Sequence, residues 1–319
     1  MPKINVSQAI GEALAEEMRR DSRVVMFGEG VATKRRDLVQ EFGDKRVRNT
    51  PLAEGIIAGT AAGAAATGLR PVIDLLFAPF ICFSMEELVN SAGKLRYISG
   101  GQFSFPLVTI ALTGCGWTVG AQHNHNIEAW FVHSPGIKVV MPSTAADFKG
   151  LLKAAIRDDN PVMFFIDMPL MHADGEVPAG DHVTRIGEAA IRREGTDVTL
   201  VSYAKMVHTC LAAAETLAGA GISAEVLDLR SLKPFDEAAV LASVRKTGRV
   251  VVVHEASRTC GVGAEIAATV AEKAFGALKA QVLRVTGPDA PAPSSYALEQ
   301  AFIPQPDSIV AAARSLVGR

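Results

Sequence analysis

Short runs of β-branched and aromatic residues recur along this chain with helical stretches between them. That alternation limits the folds open to it more than any other feature. Val24–Phe27, Arg46–Asn49, Val72–Leu76, Leu107–Leu112, Lys138–Met141 and Val162–Ile166 read as strands. Gln8–Arg20, Ala53–Thr67, Met85–Ile98 and Ala145–Arg157 read as helices, the first capped near Asn5 or Ser7. Strands as uniformly apolar as Val-Val-Met-Phe and Val-Met-Phe-Phe-Ile have no solvent face, which predicts parallel sheets covered on both sides. Around residues 168–186 the texture changes to an aperiodic stretch rich in Pro, Gly and Asp, the pattern of a linker. A second series follows: strands Asp197–Tyr203, Ala224–Leu229, Arg249–Glu255 and Gln281–Thr286, with helices Met206–Ala220, Asp236–Lys246, Gly263–Phe275 and Asp307–Leu316. The expectation is an α/β protein of two domains, 1–180 and 187–319, each a mostly parallel sheet covered by helices.

The length of 319 residues suits two such domains. Lys+Arg 32 against Asp+Glu 34 leaves a net charge of -2, so there is no basic field to hold nucleic acid or an anionic membrane. With 49% apolar and 21% charged residues the chain is not disordered. Its most apolar run, Val72–Met85, is broken by Asp74 and Pro79 and is too short to span a bilayer. The N-terminal residues lack a signal peptide's apolar core, and Cys82, Cys115, Cys210 and Cys260 form no Cys-x-x-Cys pair; a reduced, cytoplasmic setting is expected. The apolar surplus is in Ala and Gly rather than in long aliphatics.

Several positions carry polar groups where an α/β sheet collects ligands, at the carboxyl ends of strands. Glu29, between Gly28 and Gly30, closes the first apolar strand, although no G-x-G-x-x-G follows it. Glu54 opens a helix built of tiny residues, where the positive helix end favours a carboxylate and where acidic residues are also common decoration. Phe77, Phe80 and Phe83 cluster at another strand exit, as core or as the wall of a heteroaromatic site. Gln122-His123-Asn124-His125-Asn126 is a polar island in apolar sequence; it lacks the accompanying ligands of a zinc site and suits proton transfer or a structural histidine. Cys115 has no inferable base and reads as a small buried residue.

Taken in order, these blocks resemble one family across almost the whole chain: the beta subunit of thiamine-diphosphate-dependent 2-oxoacid dehydrogenases, including the pyruvate, branched-chain 2-oxoacid and acetoin enzymes. The resemblance runs through Gly28-Glu29, Asn49-Thr50-Pro51-Leu52-Ala53-Glu54, Gly68-Leu69-Arg70-Pro71-Val72, Asn90-Ser91-Ala92-Gly93-Lys94 and Gln122-His123. It continues in Glu128-Ala129-Trp130-Phe131, His133-Ser134-Pro135-Gly136, Asp158-Asp159-Asn160-Pro161, Asp228-Leu229-Arg230-Ser231-Leu232-Lys233-Pro234 and His254-Glu255-Ala256. The resemblance implies a pyrimidine-binding domain followed by a transketolase C-terminal-like domain. It implies catalytic roles for Glu54, exchanging a proton with the cofactor's aminopyrimidine, and for His123, handling protons near the substrate and the incoming lipoyl group. Phe80 would stand beside the pyrimidine, with Glu29 and Leu52 flanking it. Leu107, Ala155, Asp158 and Asn160 would hold a structural potassium ion through backbone carbonyls.

The chain contains neither Gly-Asp-Gly nor Asn-Asn, the magnesium–diphosphate motif of thiamine enzymes. By the same resemblance that half, with its magnesium, would lie on an alpha subunit in a heterotetramer of two alpha and two beta chains, serving a lipoyl acyltransferase core. The short basic loop Ala32–Asp37, the Asn124-His125 pair and Cys115-Gly116-Trp117 depart from the family pattern near the substrate entrance. A split transketolase-like subunit acting on sugar phosphates, or a non-catalytic assembly subunit, are the alternative readings.

Overall fold

The computed structural model describes residues 2–318, which divide into two units: 2–113 with 130–186, and 114–129 with 187–318. In the first unit the chain runs β1 (Lys3–Asn5), α1 (Val6–Arg20), β2 (Val24–Glu29), α2 (Val31–Lys34), α3 (Arg36–Phe42), β3 (Val47–Thr50), α4 (Glu54–Ala66), β4 (Arg70–Phe77), α5 (Gly93–Ile98), β5 (Val108–Thr113), α6 (Glu128–Val132, which crosses the division), β6 (Lys138–Val140), α7 (Ala145–Arg157), β7 (Val162–Asp167) and β8 (Asp174–Glu176). Its large sheet has the order β6-β7-β5-β4-β2-β3, with every one of these pairings parallel.

The caps explain where the helices begin. Asn5 accepts from the Gln8 N–H while Gln8 reaches back to the Asn5 N–H, a reciprocal capping box for α1. Thr144 does the same duty for α7. Leu14 and Met18 of α1 and Phe148 and Leu152 of α7 meet Val72, Val108 and Phe164 of the sheet in one core. Each such side chain stabilises the fold by roughly 1.5–3 kcal/mol of apolar burial. Along the line between the two helices, Lys149 pairs with Glu12 and Glu16, Lys153 with Glu16 and Asp181, and Arg157 with the fully buried Glu17. This ladder satisfies charges that the packing of α1 on α7 would otherwise strand.

The second unit contains β9 (Ala190–Arg193), β10 (Val198–Ser202), α8 (Met206–Gly219), β11 (Ala224–Asp228), β12 (Ser231–Lys233), α9 (Glu237–Thr247), β13 (Val250–Ser257), α10 (Val262–Ala274), β14 (Leu283–Gly287), α11 (Tyr296–Phe302) and α12 (Pro306–Val317). The sheet order is β14-β13-β10-β11-β9, parallel except for the antiparallel edge strand β9. Val198, Leu200, Val226 and Val251 pack against Leu217 and Ile309 from the covering helices. The α/β fold of two mostly parallel, helix-covered sheets is the one expected from the sequence.

Particular segments differ from that reading. The stretch 168–186 is not featureless: Met168–His172 forms a 3₁₀ turn, and β8 pairs antiparallel with β1. Helix 85–98 is a π-helical Glu86–Ala92 followed by α5. Gly114–Ala129 groups with the second unit, whereas the sequence places it within 1–180. Edge strand β9 and the short α11 have no sequence counterpart.

Candidate active site

In a parallel sheet, ligands gather where the strand order reverses, outside the carboxyl ends of the strands. In the first unit the chain passes from β2 outward to β3, then returns to the other side of β2 as β4. The crevice between β2 and β4 is that switch point. Glu29 ends β2, and Phe77 ends β4 and leads into a 3₁₀ turn, Ala78–Ser84, that carries Phe80.

Gly28 permits this arrangement. A Cβ there would lie 2.1 Å from the Asp74 carbonyl oxygen, and its φ of +150° is one that side chains rarely adopt. The two strands therefore approach more closely than any other residue would allow. Asp74 faces the same crevice: its carboxylate accepts from the Lys34 Nζ at 2.9 Å and from the Leu76 N–H at 2.9 Å. Leu76 has φ +61°, the irregular step that turns β4 toward the aromatic exit.

Glu29 is 8% exposed, and its Oε1 has no hydrogen-bond partner among the described residues. Burial raises its carboxyl above the usual range, the nearby carboxylates of Glu54 and Asp74 raise it further, and Lys34 opposes them. A buried carboxylate oxygen without a protein partner is placed to meet a polar ligand. Glu54 sits in the first turn of α4, half-buried and close enough to act on Glu29. Phe80 is half-buried, whereas Leu52 is 78% exposed. Thus the structure brings Glu29 and Glu54 together, joins to them the unforeseen Asp74 and Lys34, and sets Leu52 on the surface beside the start of α4. The basic loop noted in the sequence, Ala32–Asp37, folds as the end of α2 and the start of α3, and its exposed Lys34 pairs with Asp74.

A ring with both a hydrogen-bonding edge and an aromatic face fits this set of side chains: carboxyl groups for the edge, one of them raised above the usual range by burial, and Phe80 for the face. Among the described residues there is no group of three or more His, Cys, Asp or Glu side chains placed to hold a metal ion.

The four positions expected to hold potassium lie together at the end of α7 and the start of β5. The Leu107 carbonyl accepts from the Val162 N–H at 2.8 Å, that of Ala155 from the Asp158 N–H at 3.2 Å, and that of Asp158 from the Arg70 guanidinium at 3.1 Å. Asn160 is tied to the Asp158 carboxylate through its own N–H and amide. Carbonyls at a helix C-terminus attract cations, and each oxygen retains a second lone pair. Arg70 already supplies one positive charge there.

His123 belongs to the second unit. It lies in a turn where the N–H groups of His123 and Asn124 both donate to the Gly120 carbonyl at 3.1 Å. Around this segment is a polar cluster that the sequence does not announce. Glu255 ion-pairs with Lys205, the Cys115 N–H donates to the Glu255 Oε1 at 2.5 Å, and the Tyr203 hydroxyl donates to Glu128 at 2.7 Å. Burial pushes the Glu128 carboxyl up. It also pushes the Cys115 thiol well above the usual thiol range, so Cys115 is no nucleophile. His254 is fully buried, with burial lowering it to about 4.

Known proteins share this layout. Residues 2–172 match the family described as "Transketolase, pyrimidine binding domain", and residues 187–309 match "Transketolase, C-terminal domain". The beta subunit of acetoin:2,6-dichlorophenolindophenol oxidoreductase from Cupriavidus necator is 44% identical, over 98% of this chain and 97% of that one. The 2-oxoisovalerate dehydrogenase subunit beta of Bacillus subtilis is 42% identical over 99% of both chains. The pyruvate dehydrogenase E1 component subunit beta of Porphyra purpurea is 40% identical over 99% and 98%. A solved structure titled as a split-gene transketolase, inactive beta4 tetramer, superposes with a TM-score of 0.83 at 27% identity, covering 99% of this chain and 98% of its own. With both domains matched and identities of this size over the full length, the chain belongs to the thiamine-diphosphate-dependent, transketolase-like family of 2-oxoacid and acetoin dehydrogenase beta subunits.

Proposed function

We propose that this chain binds the pyrimidine half of thiamine diphosphate in the β2–β4 crevice and acts on a 2-oxoacid or an acetoin-like hydroxyketone once joined to an alpha subunit. The observation that carries the proposal is Glu29, whose buried carboxyl with an unsatisfied Oε1 stands against Glu54 at the switch point of the sheet. When bound, thiamine diphosphate supplies the carbon nucleophile that attacks the substrate carbonyl. Glu54 holds and returns a proton at the pyrimidine ring nitrogen, Glu29 flanks that ring with its buried carboxyl, and Phe80 walls it. His123 moves protons at the substrate and at the acyl acceptor, a lipoyl domain in this reading.

The diphosphate and its magnesium belong to the alpha subunit, since this chain has no Gly-Asp-Gly or Asn-Asn sequence. The assembly is a heterotetramer of two alpha and two beta chains, located in the cytoplasm. No helix among the described residues is long and apolar enough to cross a membrane. A potassium ion shares the α7 turn with Arg70.

Co-purified with its alpha partner, Glu54→Gln is expected to lose nearly all turnover while assembling normally; near-normal turnover removes the assignment. His123→Ala is expected to slow acyl transfer far more than it weakens cofactor binding, measured by calorimetry. Replacing potassium chloride by lithium chloride is expected to lower the melting temperature, and an unchanged melt removes the potassium site.

A further inference from the structure

From Gly114 to Ile127 the backbone has no helix or strand. A segment of that kind keeps one conformation only if other groups take up its polar atoms. Two buried carboxylates do so. At its start, Cys115 is held from both sides, its N–H by Glu255 and its carbonyl by the Lys205 Nζ at 2.6 Å. Further along, Glu299 of α11 accepts from the Thr118 N–H at 3.1 Å and from the Asn124 Nδ2 at 3.0 Å. Glu299 is fully buried and Asn124 is 1% exposed.

The geometry at Glu299 is that of a buckle. One carboxylate joins residue 118 to residue 124, and the turn it closes contains His123. Thr118 has φ +54° and Gly120 φ +83°, so the turn is wound tightly; the backbone bonds to the Gly120 carbonyl close its inner part, and the Glu299 bridge ties that part back to Thr118. Hydrogen bonds to a buried carboxylate are among the stronger ones in a protein. The cluster also stands at a functional address: β10 leads outward to β11 and the chain returns as β13, so the carboxyl ends of β10 and β13, which carry Tyr203 and Glu255, form the switch point of the second sheet.

We propose that Glu299 is a positioning residue for His123: its carboxylate, by bridging Thr118 and Asn124, fixes the turn that presents the imidazole for proton transfer. The proposal rests on the role assigned above to His123. A displacement of about 1 Å at a reacting group can lower a rate by roughly 10²-fold, so the bridge need not touch substrate to control turnover.

The test uses the alpha/beta complex carrying Glu299→Gln, Asn124→Ser, His123→Ala, or His123→Ala with Glu299→Gln. The glutamine keeps the shape of the side chain and one acceptor oxygen, but it removes the charge shared by both bonds and sets an NH₂ where the second oxygen meets the Thr118 N–H at 3.3 Å. Turnover is measured together with amide hydrogen exchange of the peptide spanning 116–127. Glu299→Gln is expected to lower kcat by roughly 10²-fold when His123 is present and by less than about twofold when it is alanine. It is also expected to raise exchange at the 118–124 turn about tenfold or more, with cofactor affinity unchanged. Asn124→Ser, which removes one arm and leaves Thr118 in place, is expected to fall between wild type and Glu299→Gln in both readouts. An equal loss with and without His123, or unaltered exchange in the turn, overturns the proposal. A fully active His123→Ala overturns it as well, but identifies the assignment of His123 as the failure; faster exchange would then mark a purely structural clamp.

Discussion

Replacing Gly28 by alanine tests the claim that the crevice exists because β2 and β4 are pressed together. The added Cβ would stand 2.1 Å from the Asp74 carbonyl oxygen, 2.9 Å from its nitrogen and 3.0 Å from its carbonyl carbon, all backbone atoms that cannot swing aside. Ordinary contact begins near 3.4 Å, so the strands must separate by more than an ångström at the pairing of Gly28 with Asp74. Holding an alanine at φ +150° adds about 1–3 kcal/mol of strain. Each ladder hydrogen bond loosened near the strand ends adds about 1 kcal/mol. The combined loss is roughly 3–5 kcal/mol, a large fraction of a typical stability of about 5–15 kcal/mol. In a domain of this size it should lower the melting temperature by about 10 °C. Differential scanning calorimetry of the purified chain measures it, with Gly63→Ala as control. Gly63 lies inside α4, where a Cβ meets nothing within 4 Å, so the control should gain about 0.4–1 kcal/mol. A Gly28→Ala protein melting within about 2 °C of wild type would show that the strands are not crowded and that the crevice does not depend on Gly28.

Two pH predictions follow from the buried titrating groups. Glu29 has a folded pKa above its unfolded one, so its ionisation destabilises the fold progressively as pH rises from the ordinary glutamate value through the raised one. Glu29→Gln should therefore melt higher than wild type at pH 8 and coincide with it near pH 4; a difference that does not shrink on acidification refutes the burial argument. His254 behaves oppositely. Its folded pKa lies near 4, so the unfolded chain takes up a proton first and stability is lost as pH falls from about 6.5 to about 4, by about 3 kcal/mol. Denaturant titrations at pH 7 and pH 4 should show His254→Asn losing that much less than wild type across the interval, and equal losses would contradict it.

The sequence was legible where one physical requirement acts locally. Helix 145–157 has a Thr cap, an acidic first turn and an apolar stripe, and its predicted and observed limits coincide. Apolar runs such as Val162–Ile166 can only be buried strands, and β7 is fully buried along its length. The Glu29 and Glu54 positions were visible as polar residues at the ends of such elements. What stayed hidden depends on partners distant along the chain. Nothing around Glu299 signals that it binds Thr118 and Asn124, because the bond exists only when α11 has docked 175 residues away. Asp74 reads as an interruption of an apolar run until the Lys34 ion pair gives it a reason. The linker texture of 168–186 was real, but composition cannot say that Asp174–Glu176 finds the N-terminal strand as a mate.

The doubly clamped segment 114–127 has a consequence for how members of this family can diversify. Its anchors, Cys115 and Asn124, are buried, while Val119, Ala121 and Gln122 between them and His125 just beyond are exposed. Fixed ends and an open middle make a cassette: residues in the middle can be exchanged without disturbing any helix, strand or core side chain. The exposed positions can then be rewritten with the folding of the chain left untouched.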